Sequence, residues 1–364
     1  MSSQSTDLKP AALSRPPLNS IPPRLRARFD PEFVRYHEAY AVGRLHTHQV
    51  PIAEFRANPR SYITSFGKAI ADAPNVGRIS DIDCPVDDGK NKIKIRVYEP
   101  NDDAFVGAGN GGRPVYVNYH GGGWVFGDID TDTEHCKRIV NGTGAVVFDV
   151  EYRCAPEHPF PTPVEDAWAG FLHVVKTQAG PFNLDTSRVA VGGPSAGGHL
   201  SAVVALRARD AGIPLVLQQL HVPVCDMDHF DEQGRVKKEE APYESYREMY
   251  DTVTLSGERM EYFARHYLGV PREKSTYNNP AVSPIHAASL ANLAPALVVT
   301  AEMDPLRDEG YAYYKKLKAA GNDAEYHMLP GMPHTAAILD DICEQGKRWN
   351  AMVLSSLKKA YGIS

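Results

Sequence analysis

Val189-Ala-Val-Gly-Gly-Pro-Ser-Ala-Gly-Gly198 is the stretch on which the reading of this chain turns. Arg188 to Val191 reads as a buried strand. It ends in glycines around a single serine, and Ala196 to Asp210 reads as a helix. Gly193-Pro194-Ser195-Ala196-Gly197 therefore fills a tight strand-to-helix turn. Such a turn strains the backbone of its serine and leaves no room for side chains on either side. It lifts the serine hydroxyl above the sheet and puts the amide of Ala196 at a helix start, where negative charge is favoured. A glycine-rich turn with a bystander serine would give the same pattern, so the rest of the chain has to decide.

Composition narrows the field. The chain has 364 residues, 43% hydrophobic and 23% charged, which suits one large α/β domain with additions. A formal net charge of −6 argues against a nucleic-acid partner, since phosphate binding asks for a basic face. No apolar run reaches the roughly 18 residues of a membrane span. Met1 to Asp30 is polar and proline-rich, without the apolar core of a signal peptide. Cys84, Cys136, Cys154, Cys225 and Cys343 show no C-x-x-C spacing. An odd count with no secretion signal predicts free thiols and a cytoplasmic location.

Residues 1 to 24 read as a loose arm. Asp30-Pro31-Glu32 then supplies an N-cap, a proline at the first helical position and an early acid. A second helical stretch is expected within Pro51 to Ala73. Asp87-Asp88-Gly89 between Gly77–Cys84 and Lys92–Tyr98 predicts a hairpin. Gly107 to Gly112 matches G-x-G-x-x-G but runs into a strand rather than a helix, so a dinucleotide site is rejected. The strand Pro114–Tyr119 delivers His120-Gly121-Gly122-Gly123-Trp124, where bare glycines let backbone amides face a ligand. Further strands are expected at Ala145–Val150, Leu215–Val224, Pro295–Thr300 and Glu325–Leu329. Helices are expected at Asp132–Asn141, Val164–Thr177, from the 304–310 stretch to about Ala320, and over Ile338–Tyr361. Glu157-His158 reads as part of a proline-fixed loop, not a catalytic pair.

Between residues 226 and 285 the strand–helix alternation stops. Met260, Phe263, Ala264, Tyr267 and Leu268 mark one apolar helical face there. Asp226, Asp228 and Asp231 lack the glycine and glutamate of a calcium loop and read as a solvated segment, so no metal is expected.

A serine hydroxyl needs a base to take its proton, and the base needs a carboxylate to orient it. An acid and then a histidine are expected past strand ends downstream of residue 195. Asp304 fits as the acid, with Glu302 and Asp308 as competitors. His334 fits as the base, better than His327 within a strand or His199 one turn past Ser195.

Taken together, His120-Gly-Gly-Gly-Trp124, Tyr152–Pro161 with Val164–Ala167, Gly193–Gly198, Asp304-Pro-Leu-Arg-Asp-Glu-Gly310 and Gly331-Met-Pro-His334 make the chain resemble the hormone-sensitive-lipase-like esterases of the α/β-hydrolase fold, from roughly Arg78 to Gly362. The resemblance implies a mostly parallel eight-stranded sheet flanked by helices, with a helical cap. The expected division is 1–75 and 226–285 as cap, with 76–225 and 286–364 as core. It implies Ser195 as nucleophile, His334 as base, Asp304 as its orienter, and the amides of Gly121, Gly122 and Ala196 as oxyanion donors. No cofactor is implied, and a homodimer is compatible with the family. Cys154, His199 and Ala336 depart from its usual residues, and Ala336 suggests a looser base loop or a roomier pocket. The expected activity is hydrolysis of small soluble esters with short acyl chains. Amides and lactones are alternatives for the same three residues, and a non-catalytic small-ligand receptor is a remote one.

Overall fold

The central strands are buried over most of their residues because both faces are covered. In the computed structural model, which describes residues 17–57, 70–101 and 112–363, β3 (Arg113–Tyr119), β4 (Val146–Val150), β5 (Leu184–Pro194), β6 (Leu217–His221) and β7 (Ala296–Ala301) form this centre. Side chains alternate between faces with the period of a strand. Val115, Val117 and Tyr119 join one apolar cluster and Tyr116 the opposite one; Val146 and Phe148 point one way and Val147 the other.

The eight-stranded sheet has the order β1-β2-β4-β3-β5-β6-β7-β8, with β1 at Arg78–Val86, β2 at Asn91–Glu99 and β8 at Ala324–Leu329. β3 to β8 run parallel, and β1 and β2 are antiparallel. The hairpin falls where expected, with Asp87, Asp88 and Gly89 at φ 52°, 56° and 82°. β4 lies on one side of β3 and β5 on the other. That reversal opens a crevice beyond the carboxyl ends of β3 and β5, the usual place for a ligand in such sheets.

In chain order the described helices of more than one turn are α1 (Pro31–Tyr40), α2 (Ile52–Ala57), α3 (Thr133–Thr143), α4 (Thr162–Thr177), α5 (Ala196–Asp210), α6 (Glu244–Met249), α7 (Gly257–Leu268), α8 (Arg307–Ala319) and α9 (Glu344–Tyr361). One face of the sheet carries α4 and α5, the other α3 and α9. Asp30 caps α1, its carboxylate accepting from the amides of Glu32 and Phe33 at 2.7 and 3.3 Å. The face foreseen for α7 is the buried one.

Three expectations need correction. The strand expected over 215–224 is shorter, because Val222 turns to φ 40° and Pro223 follows. The last helix begins at Glu344, not Ile338. Asp340 is bound instead to Arg138 at 2.8 Å and Asn350 at 3.0 Å, and Gly346 packs against the Leu339–Asp340 backbone. Within the arm, residues 17–24 are not loose, since Ile21 is buried beside Leu25 in the cluster that holds α1. In the stretch 51–73 the described helix is α2. Residues 58–69, 1–16 and most of the glycine run 107–112 lie outside the described residues.

Candidate active site

Ser195 stands between β5 and α5 at φ 57°, ψ −116°, a conformation costly for any residue with a Cβ. Its amide donates to the His221 carbonyl at 2.8 Å, which helps to hold the turn. The flanking glycines are required by the end of β3. A Cβ on Gly193 would lie 2.0 Å from the Tyr119 carbonyl oxygen, and one on Gly197 1.8 Å from it.

Three side chains from three strand ends meet in line. His334 Nε2 lies 2.9 Å from Ser195 Oγ, and His334 Nδ1 lies 2.7 Å from Asp304 Oδ2. Asp304 is fully buried, and its other oxygen accepts the Leu306 amide at 3.0 Å. The loops carrying acid and base are tied together, with Met303 N donating to Met332 O at 2.9 Å. A charge-assisted bond from the acid orients the ring so that Nε2 faces the hydroxyl.

The competing residues have other work. Glu302 accepts the Gly331 amide at 2.8 Å and so fastens the base loop. Asp308 accepts the Ser245 amide at 2.7 Å and pairs with Arg307. His327 pairs with Glu325 at 2.6 Å on the outer strand. Glu157 pairs with Arg56 at 2.8 Å, in keeping with a structural loop. Asp226 accepts from Tyr243 Oη at 2.6 Å, Asp228 pairs with Lys274 and Asp231 caps backbone amides of its own loop. Among the described residues, the group of His, Cys, Asp or Glu close enough to share an ion is Asp30, Glu32 and Cys343, remote in sequence from the serine turn. The Asp30 carboxylate there is already spent on capping α1.

Gly121 and Gly122 follow the end of β3, and Ala196 opens α5. None of the three amides has an acceptor among the described residues. Ala196 N opens α5 and so has no partner within the helix. Gly122 and Gly123 sit at φ 113° and 62°, and a Cβ on Gly122 would lie 2.1 Å from the Phe126 carbonyl oxygen. His120 is buried beneath this loop. Its Nδ1 lies 2.7 Å from Gly121 O, its ring stacks on Tyr152 at 4.2 Å, and burial lowers its pKa, so the ring is neutral.

Sequence reasoning did not find what shapes the pocket wall. Trp124 also has a positive φ, 58°, and lines the pocket with Ser195, Met227, Phe230, Leu255, Met260, Phe263 and Leu306. Its indole Nε1 donates to His199 Nδ1 at 3.2 Å, and its ring stacks on Tyr267 at 4.0 Å. Burial holds His199 down to about 3, so it is a neutral acceptor at ordinary pH. The departure at position 199 was visible, but its contact with Trp124 crosses 75 residues. Ala336 does not enlarge the pocket: it is buried in the cluster on the other face of the sheet. The cavity these residues line is small, about 30 Å³.

An acid–base–hydroxyl line ending against unsatisfied amides, on this sheet, defines a class. The sequence matches the family described as the α/β hydrolase fold over residues 116–338. It is 31% identical to an AB hydrolase superfamily protein of Schizosaccharomyces pombe over 347 residues, 93% of this chain and 95% of that one. It is 39% identical to the carboxylesterase NlhH of Mycobacterium tuberculosis over 249 residues, 68% of this chain and 72% of that one. Its fold superposes on an ester hydrolase from the metagenome of Lake Arreo, solved with a derivative of bipyridine phosphonate, with a TM-score of 0.78, 31% identity and coverage of 92% and 99%.

The chain belongs to the α/β-hydrolase fold family. Within it, it is a carboxylic ester hydrolase of the hormone-sensitive-lipase-like type. No helix among the described residues is long and apolar enough to cross a membrane.

Proposed function

We propose that the protein hydrolyses small soluble esters with short acyl chains through an acyl-enzyme on Ser195. His334 Nε2 takes the proton as Ser195 Oγ attacks the ester carbonyl. The oxyanion forms against the amides of Gly121, Gly122 and Ala196. His334 then gives that proton to the leaving alcohol. Water, deprotonated by the same nitrogen, attacks the acyl-enzyme, and collapse of the second oxyanion releases the acid and returns the proton to Ser195. Asp304 stays ionised and stabilises the imidazolium.

The observation that carries this reading is the unbroken line Asp304–His334–Ser195, at 2.7 and 2.9 Å, together with three amides that have no acceptor among the described residues. The small apolar cavity supports a short acyl group. In this reading residues 1–75 and 226–285 cap a core of 76–225 and 286–364. Five free thiols among the described residues support a cytoplasmic location. A homodimer enters on the family resemblance alone, and light scattering on the eluted protein tests it.

The deciding experiment is hydrolysis of p-nitrophenyl esters from two-carbon to sixteen-carbon acyl chains, with Ser195→Ala alongside. The expected result is a maximum at short chains and loss of turnover in the variant. A maximum at long chains would overturn the substrate assignment, and undiminished activity in the variant would overturn the role of Ser195.

A further inference from the structure

The seam between Thr47–Gln49 and α7 holds a charge that its surroundings do not answer. Arg259 lies in the first turn of α7, where the helix dipole disfavours a cation. Its Nη1 donates to the Thr254 carbonyl, while its Nε is shut off from solvent and has no acceptor. No carboxylate among the described residues pairs with it. Burial pulls its guanidinium down to about 10, with Tyr262 acting the other way.

Neighbouring polar groups are unanswered as well. Tyr262 Oη, His48 Nδ1 and Thr254 Oγ1 are buried without a hydrogen-bond partner. The His48 and Tyr262 ring centroids are 6.2 Å apart, and His46 stacks on His48 at 5.3 Å. Burial and the nearby Arg259 hold both imidazoles at about 4, so neither adds a charge at neutral pH. Of the nearby acids, Glu258 reaches His48 at 3.8 Å from an exposed position, and Glu261 is taken by Val236 N and Tyr250 Oη. A desolvated cation with no counter-charge is costly to keep, and so are buried donors without acceptors.

This cation is one aromatic ring from the chemistry. The guanidinium carbon lies 5.5 Å from the centroid of Phe263, and Phe263 lines the pocket with Ser195 and packs against Gly123. We propose that Arg259, with Tyr262 and His48, forms an anion subsite in the seam that selects esters carrying a carboxylate at a set distance from the scissile carbonyl. The inference rests on the ester-hydrolase reading above. A guanidinium offers two parallel N–H groups that a carboxylate accepts as a pair, and the Tyr262 hydroxyl supplies another donor. The ligand carboxylate would at once complete the buried cation and answer the dipole of α7.

Two substrate series test this by pH-stat: monoethyl esters of straight-chain dicarboxylic acids, and acetate esters of ω-hydroxy carboxylic acids. Each is measured beside the neutral ester of equal chain length. The expected result is a kcat/KM advantage on the order of tenfold or more for the charged substrate in one series. The advantage should peak at one chain length and shrink as salt rises. In Arg259→Gln it should fall to about one while neutral esters stay within about twofold, and Arg259→Lys should keep part of it, since an ammonium lacks the paired donors. Neutral esters turned over as well as charged ones at every length in the wild type would overturn the subsite. So would an Arg259→Gln variant that loses both classes alike, which would mark a purely structural arginine. If that variant does not fold, the wild-type series and its salt dependence decide. Wild-type protein inert towards every ester would overturn the hydrolase reading itself, and the subsite with it.

Discussion

Ser195, Leu306, Met260 and Phe263 line one pocket, yet the loops at the ends of β5, β7 and β8 and the seam beyond α7 are built on opposite terms. In the loops the acid, the base and the serine are matched: Asp304 holds His334 and the Leu306 amide, Glu302 fastens Gly331, and His334 meets Ser195. The amides of Gly121 and Gly122 past β3, and of Ala196, have no acceptor among the described residues. In the seam, by contrast, Arg259, Tyr262 and His48 keep buried polar atoms without partners. Unmatched buried groups cost stability unless something completes them. The difference assigns chemistry to the core loops and selection of substrate to the seam.

The largest effects should come from the loops. Ser195→Ala and His334→Ala are each expected to cut kcat by about a millionfold with the fold retained, read by single-turnover assay beside circular dichroism. Asp304→Asn should cost about ten thousandfold, because the amide leaves the ring in the wrong tautomer. Retention of more than a tenth of the activity by any of the three would break the division. Gly122→Ala should cost on the order of a hundredfold or more in kcat, since a Cβ meets the Phe126 carbonyl and displaces an amide donor.

Smaller effects are expected where the pocket wall is concerned. His199→Ala removes the acceptor for Trp124, and the acyl-chain optimum should move while hydrolysis of the shortest ester changes by less than about tenfold. An unchanged profile across chain lengths would show that the indole is held without it. His199 also makes stability depend on pH. Its folded pKa, about 3, lies below the ordinary 6.5, so the unfolded chain binds a proton that the native protein refuses. Stability therefore rises with pH through the window from about 3 to 6.5 and levels off above it. The slope is at most about 1.4 kcal/mol per pH unit for one such group. Urea melts at pH 5 and pH 7 should differ less in His199→Asn than in the wild type. Least of all, Lys237→Ala breaks an exposed pair with Glu240 at 3.0 Å, and both activity and melting temperature should stay within error.

Much of this protein is legible in the order of its residues. The serine turn, the glycine loop and the acid and base after later strands are local patterns, and local sterics explain each. Only glycine tolerates the approach of the Tyr119 carbonyl at positions 193 and 197. Strand ends place single residues, so position along the chain favours Asp304 over Glu302 and Asp308; in the structure Asp304 Oδ2 lies 2.7 Å from His334 Nδ1. Helix starts read well where a side chain caps, as at Asp30. The reading missed the start of α9, because a buried pair between Arg138 and Asp340, 202 positions apart, overrides the local helical pattern.

The sequence by itself determined the fold class and the three residues in line, since short-range periodicity, turn sterics and the order of strands carry that information. Tertiary structure alone decided that His199 receives the Trp124 indole, that Ala336 lies away from the pocket, and that Arg259, half-buried and without a paired carboxylate among the described residues, lies beside Phe263. Those facts depend on which distant segments meet and on how much water their meeting excludes. Desolvation is a property of the assembled surroundings, and no window of sequence contains it.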